Sequence, residues 1–151
     1  MMQAQVISLT KLSNYDDVVI KSKYGIHLQP DWINSYATSF NKSDVCKLLA
    51  VRSMSDGLNL GLLLVETRRF RGTSFLSLRR LVSVASGPSD FFDIPCRIGS
   101  ETQVANAIVD WLQRHNQEWE SLRFSLIPES SRMWHPLVDA MQHQGWSPKV
   151  S

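Results

Sequence analysis

The sequence predicts one α/β (α+β) domain built on a mixed, mostly antiparallel central sheet with helices on both faces. Three observations carry this expectation: the middle of the chain changes from helical to strand periodicity, an Asp56-Gly57 pair separates two apolar runs there, and a strand–helix–strand–helix order follows. A sheet that begins as an antiparallel meander and ends in a helical crossover between parallel neighbours is mixed by construction. The 151 residues suit a single core. An apolar fraction of 43% and a charged fraction of 20% exclude disorder, collagen and coiled coil as overall classes.

The elements follow in order. Val6 to Leu9 alternate as a first strand. Ser13 is placed to cap a helix whose first turn carries Asp16 and Asp17 and whose end is marked by Gly25. A second short helix follows Pro30-Asp31, with Trp32, Ile33, Tyr36 and Phe40 spaced at three and four. Lys47 to Met54 and Leu58 to Arg68 then read as strands, and the Asp-Gly pair between them is a hairpin signal because glycine accepts positive φ. Phe75 to Val84 supplies a third strand with Phe75, Leu76, Leu78, Leu81 and Val82 on its apolar face. Gly87-Pro88-Ser89-Asp90 is turn chemistry, and Phe91 to Ile98 reads as a short strand carrying a proline.

Ser100-Glu101-Thr102-Gln103 fits a capping box that opens a helix with Val104, Ile108, Trp111 and Leu112 along one side. Leu122 to Ile127 alternates as a strand. The last helix begins near Trp134 to Pro136, ends at Gly145, and turns Trp134, Leu137, Val138 and Met141 to the core. The residues after Gly145 read as the opening of another strand.

Charge and cysteine usage exclude several classes. A net charge of +2 does not imply nucleic acid, and the run Arg68-Arg69-Phe70-Arg71 with Arg79-Arg80 reads as a solvated strand end. Cys46 and Cys96 lie in no CxxC and near no histidine, so buried thiols are expected and a zinc site or disulfide scaffold is not. No basic segment precedes an apolar stretch at the N-terminus, and no apolar stretch reaches the roughly 18 residues of a membrane span. A cytoplasmic location is the resulting expectation.

Motifs for common chemistries are missing: there is no G-x-S-x-G, no H-E-x-x-H and no G-x-x-x-x-G-K. His135, Asp139 and His143 align on one side of the last helix and read as a polar face; no metal site is expected. Asp90 and Asp93 flank two phenylalanines, yet at i and i+3 on an extended strand they point to opposite faces. Five tryptophans are many for this length. Trp32, Trp119 and Trp146 are the ones helix stripes do not explain, and an exposed aromatic patch would suit a sugar or a missing protein half.

With that order on the page, the chain resembles the N-terminal half of the CelD/BcsL-type, BioF2-like tandem acyltransferases, which belong to the GCN5-related N-acetyltransferase (GNAT) superfamily and are relatives of the FemAB peptidyltransferases. The resemblance rests on the Trp32 helix, the Asp56-Gly57 hairpin, the Gly87 to Asp93 segment, the Ser100 to Leu112 helix, and the Ile127-Pro128-Glu129-Ser130-Ser131 turn with the Gly145-Trp146 exit. It implies an acetyl-CoA or acyl-CoA dependent transferase acting on an amine or hydroxyl of an envelope polysaccharide, lipid or small metabolite. It also implies that residues 1–151 are one GNAT-like half of a larger two-domain protein, with Trp32, Ser89, Asp90 and Asp93 as candidate acceptor contacts.

The superfamily's coenzyme turn, Q/R-x-x-G-x-G/A, would fall on Arg97-Ile98-Gly99-Ser100-Glu101-Thr102. There the single glycine is displaced, and Glu101 places a carboxylate where the diphosphate would sit, so no cofactor is expected in this chain itself. The expected partner is a second GNAT-like half or a second copy of the chain, with no nucleic acid and no membrane span. The alternative expectation is a non-catalytic interaction module that docks a partner through an apolar face.

Overall fold

The structure, a computed structural model, describes residues 2–7, 32, 35, 39, 46–71, 77–83, 93–125 and 127–149. The Asp56-Gly57 signal does produce a hairpin between β2 (Cys46–Ser53) and β3 (Asn59–Arg71). Gly57 takes φ 70° at its tip. Ser53 anchors the loop at both backbone groups, accepting from Gly57 N–H and donating to Leu58 C=O, each at 3.0 Å. The Asp56 carboxylate accepts the Leu58 N–H at 3.1 Å. Its pKa lies below the ordinary value, first because the Ser53 hydroxyl bonds it and then because Leu58 N–H does.

β1 spans Met2–Ile7 and pairs antiparallel with β2, several residues earlier than the strand expected at Val6 to Leu9. The helix expected from Ser13 to Gly25 lies outside the described residues. Of the second expected helix, Trp32, Ser35 and Ser39 are described and all three are helical; Ile33, Tyr36 and Phe40 lie outside. β4 (Ser77–Ser83) pairs antiparallel with β3, and β5 (Ser121–Arg123) pairs parallel with β4 across helix α1 (Glu101–Arg114). The sheet order is β1-β2-β3-β4-β5, mixed and mostly antiparallel as expected. Helix α2 (Trp134–His143) follows β5.

Strand alternation divides the core between the two faces. One face presents Ala4, Leu49, Val51, Leu63, Val65 and Leu81 to a cluster that contains Val104, Ile108, Trp111 and Leu112 of α1 with Leu137 and Met141 of α2. The opposite face carries Leu48, Ala50, Leu62 and Leu64, none more than 1% exposed. Both faces are therefore buried, and β2 and β3 read as near-continuous apolar runs for that reason. Leu81 and Val82 are buried on opposite faces, whereas Leu78 is exposed near the strand's start.

The segment expected as a strand from Phe91 to Ile98 makes only an isolated bridge, Gly61↔Cys96, among the described residues. Leu62 N–H donates to Pro95 C=O and Arg97 N–H to Leu60 C=O. Val65 faces Ser83 across the β3–β4 ladder, so a strand continuing in register would reach Gly61 at position 87; the chain arrives there at Cys96, nine residues later. Pro95 has no donor to extend the ladder further. Cys46 and Cys96 are buried free thiols as expected, and burial, helped by the Glu101 charge, pushes Cys96 up to about 12.

The expected capping box at Ser100 does not form. Ser100 makes no side-chain cap hydrogen bond and sits at φ −109°, ψ 8°, away from the extended conformation that aims a hydroxyl at the first turn. Its own N–H, which a capping box would give to the Gln103 side chain, is donated to Arg97 C=O at 3.0 Å. α2 ends in a Schellman arrangement instead of a simple stop: Gly145 takes φ 78°, its N–H donates to Gln142 C=O, and Trp146 N–H donates to Met141 C=O. That geometry turns Trp146 back beside the helix.

The basic run forms the paired ends of β3 and β4, where Arg68 faces Arg80 and Arg69 faces Arg79. Like charges directly opposite are unfavourable, so acidic partners are required. Glu66 pairs with Arg68 at 3.2 Å, and Glu120 takes Arg79 Nε and Nη2 at 3.1 and 2.8 Å. The Arg79 hydrogen bond holds Glu120 below its ordinary value of 4.5. A depressed carboxyl value means the stabilisation is present above the unfolded value and disappears as pH falls through the folded one. Glu120→Gln is expected to lower Tm at neutral pH and low salt, with the gap closing both in high salt and on acidification through the lowered folded value of the carboxyl. Thermal scans across pH and ionic strength check this; a gap that survives both would refute it.

No helix of the described residues is long and apolar enough to cross a membrane. Among the same residues no cluster of three His, Cys, Asp or Glu side chains is placed to hold a metal ion.

Candidate functional site

The turn that opens α1 is the first place where chemistry converges. Arg97-Ile98-Gly99-Ser100 closes through the Ser100 N–H, with Gly99 at φ 85°, and Ile98 at its tip is 83% exposed. Glu101, the first residue of α1, does not project into solvent: its carboxylate meets Arg132 Nη1 at 3.0 Å and its side chain is 17% exposed. Arg132 Nη2 also donates to Cys96 C=O at 3.3 Å. A carboxylate thus stands in the first turn of α1, where the helix dipole favours negative charge, with a cation already committed to it.

A second link binds the same two segments. Asp93 Oδ1 accepts from the Ser131 hydroxyl at 2.5 Å and from Ile94 N–H at 2.8 Å, while Ser131 Oγ accepts the Met133 N–H at 3.1 Å. Ser131 is 5% exposed, so this bridge is shielded from water. The approach to α1 is thus tied twice to the turn that opens α2.

β4 and β5 stay paired for only three positions, Arg80↔Ser121 to Val82↔Arg123. At the next step the backbone ladder gives way, and Ser125 N–H donates to the Ser83 hydroxyl at 3.1 Å. A side chain in place of a carbonyl means that the two parallel strands have begun to part. At the other end they are clamped, with Glu120 N–H on Arg79 C=O and Arg79 N–H on the Glu120 carboxylate.

Beyond β5 lies a cavity of about 600 Å³. Trp119, Phe124, Trp134 and Trp146 wall it together with Leu137 and Met141 of α2. Trp119 and Trp146 meet edge to face at 5.7 Å and 82°, and Trp146 Nε1 donates to Gln113 at 3.2 Å. Trp119 Nε1 is buried with no hydrogen-bond partner among the described residues.

Of the residues expected to contact an acceptor, the two that are described, Trp32 and Asp93, do not line that cavity. Trp32 is helical and half-buried, Asp93 is engaged with Ser131, and neither lines it; Ser89 and Asp90 lie outside the described residues. Trp119 and Trp146, which no helix stripe explained, are the ones brought together. Trp134, expected in the core stripe, is half-buried and faces the same cavity. The partners of Glu101 and Asp93 were missed, because Arg132 and Ser131 are far away in sequence and no local pattern pairs them.

Mixed sheet, parting parallel strands and crossover helix define a class: the fold is that of the GNAT acetyltransferases. The chain is similar to the aminoglycoside N-acetyltransferase AAC(6')-Iy in complex with a CoA-based bisubstrate analogue, at TM-score 0.63 and 15% identity, over 100% of this chain and 94% of that one. It is also similar to a ribosomal-protein-alanine N-acetyltransferase from Brucella melitensis biovar Abortus 2308, at TM-score 0.61 and 16% identity, over 100% and 95%. A transcriptional regulator from Bacillus halodurans C-125 matches at TM-score 0.63 and 9% identity, over 100% and 96%, so the fold alone does not select an activity. No protein-family model and no curated protein matches the chain.

Proposed function

We propose that this chain is a GNAT-fold acyltransferase domain that does not itself load coenzyme A and works as one half of a CelD/BcsL-type, BioF2-like pair. The second half supplies the acyl-CoA, and the acyl group passes to an amine or hydroxyl on an envelope polysaccharide, lipid or small metabolite. One observation supports the reading: Glu101, the first residue of the helix whose N-terminus would face a diphosphate, is acidic and held in an ion pair with Arg132. A diphosphate at that N-terminus would sit near the Glu101 carboxylate, which its charge opposes. The residues present do not fit the coenzyme. The acceptor contacts expected at Trp32, Ser89, Asp90 and Asp93 belong to this reading.

Calorimetric titration of the chain with acetyl-CoA tests it. No saturable heat is expected up to millimolar ligand, and micromolar binding would overturn the proposal. A second reading, a non-catalytic module that docks a partner through an apolar face, is favoured by the aromatic cavity beside β5.

A further inference from the structure

We infer that the arginines on the face of β3, β4 and β5 opposite α1 and α2 bind an acidic polysaccharide, an acceptor polymer that carries a carboxylate on successive sugars. The inference rests on the reading of an acyltransferase half, and it narrows the acceptor to one chemical class.

Strand register gathers three guanidinium groups on that face. Arg68 of β3 stands opposite Arg80 of β4, and Arg80 opposite Ser121 of β5; the neighbouring row is Glu66, Val82 and Arg123. Alternation turns these six away from α1 and α2, because Leu81 and Leu122, which alternate with them, pack in the cluster that those helices cover. The Arg68 side chain is 45% exposed, Arg123 is exposed and Arg80 is half-buried. Across the six positions three arginines stand against one glutamate. Glu120 points to the other face and is committed to Arg79.

Local bonds orient the positive groups. Glu66, its side chain 4% exposed, holds Arg68 at 3.2 Å, and Ser121 Oγ accepts from Arg80 Nε at 3.1 Å. Side chains already fixed lose less freedom when a ligand arrives.

The arrangement selects a polymer. Neighbouring strands lie about 4.8 Å apart, so the charges are spread over three strands in steps comparable to a sugar ring and do not converge on one small anion. None of the six positions carries an aromatic ring on which a base could stack, which argues against a nucleic acid. An acidic glycan meets the face with opposite charge.

A fluorescently labelled oligogalacturonate and a neutral maltooligosaccharide of equal length, titrated against the chain by anisotropy, test this. The acidic oligomer is expected to bind, about tenfold more weakly at roughly 200 mM salt than at roughly 20 mM, and the neutral one not to bind. Arg123→Gln should weaken binding about three- to fivefold, and Arg80→Gln combined with Arg123→Gln about tenfold or more. Arg114→Gln removes the same charge from an exposed position on α1 and should leave binding unchanged. Arg123 and Arg114 are both exposed, so that comparison stands even if the double variant folds poorly. No binding of the acidic oligomer, equal binding of the neutral one, or an equal loss with Arg114→Gln overturns the inference. Tighter binding of a single-stranded oligonucleotide or of phosphatidylglycerol vesicles also overturns it, by assigning the face to a nucleic acid or to a lipid surface. Acetyl-CoA calorimetry reads a different place on the molecule: silence in both titrations sinks this inference and leaves the proposed function standing, whereas micromolar acetyl-CoA binding sinks the proposed function whatever the glycan does.

Discussion

Truncating Leu63 to alanine is expected to cost about 2–5 kcal/mol of folding stability. Leu63 is 0% exposed on the central strand β3, pairs across the ladder with Leu49, and belongs to the cluster that α1 and α2 cover. The upper part of that range is expected because the site cannot collapse: β3 is held by β2 along one side and by β4 and the Pro95 to Arg97 segment along the other. Urea denaturation should show a lower midpoint with an unchanged slope. Met54→Ala is the control, since Met54 is 58% exposed at the hairpin and should shift stability by less than about 0.5 kcal/mol. Equal effects at the two positions would refute the placement of the core.

Gly61→Ala is expected to destabilise by about 1–3 kcal/mol through overpacking, since the φ of Gly61 is not in the left-handed region and alanine can adopt it. A Cβ there would stand 2.6 Å from Val104 Cγ1 and 3.2 Å from Pro95 C=O. Val104 is 0% exposed on the first turns of α1 and has no room to withdraw. The glycine therefore sets how closely α1 and the incoming Pro95 segment approach β3. A double-mutant cycle separates this from a general glycine effect: Val104→Ala should relieve part of the Gly61→Ala cost, giving a favourable coupling of about 0.5 kcal/mol or more. Strict additivity would refute the steric account.

The parts of the fold that were legible are those whose cause lies within a few residues. Asp56-Gly57 makes its hairpin because a positive φ is needed at one position, and Gly145 ends α2 for the same reason. Val104, Ile108, Trp111 and Leu112 are buried as a stripe because helical periodicity aims them one way. The same local logic failed at Ser100, whose N–H was taken by Arg97 before Gln103 could bond it. It failed again from Phe91 to Ile98, where the chain reaches β3 nine residues late and, among the described residues, secures one bridge.

The candidate site divides in the same way. Glu101 at the opening of α1 could be read as hostile to a diphosphate from its charge and position alone. That Arg132 pairs with it, and that Asp93 is bound by Ser131, depends on two segments distant in sequence meeting in space. By itself the sequence determined the mixed sheet, the crossover helix and the carboxylate at its N-terminus, since periodicity, turn residues and formal charge are local properties. Only the tertiary structure decided which strands part, which charges cancel, and that three tryptophans share one cavity beside β5, because these follow from the register of long-range contacts, which no short stretch of residues encodes.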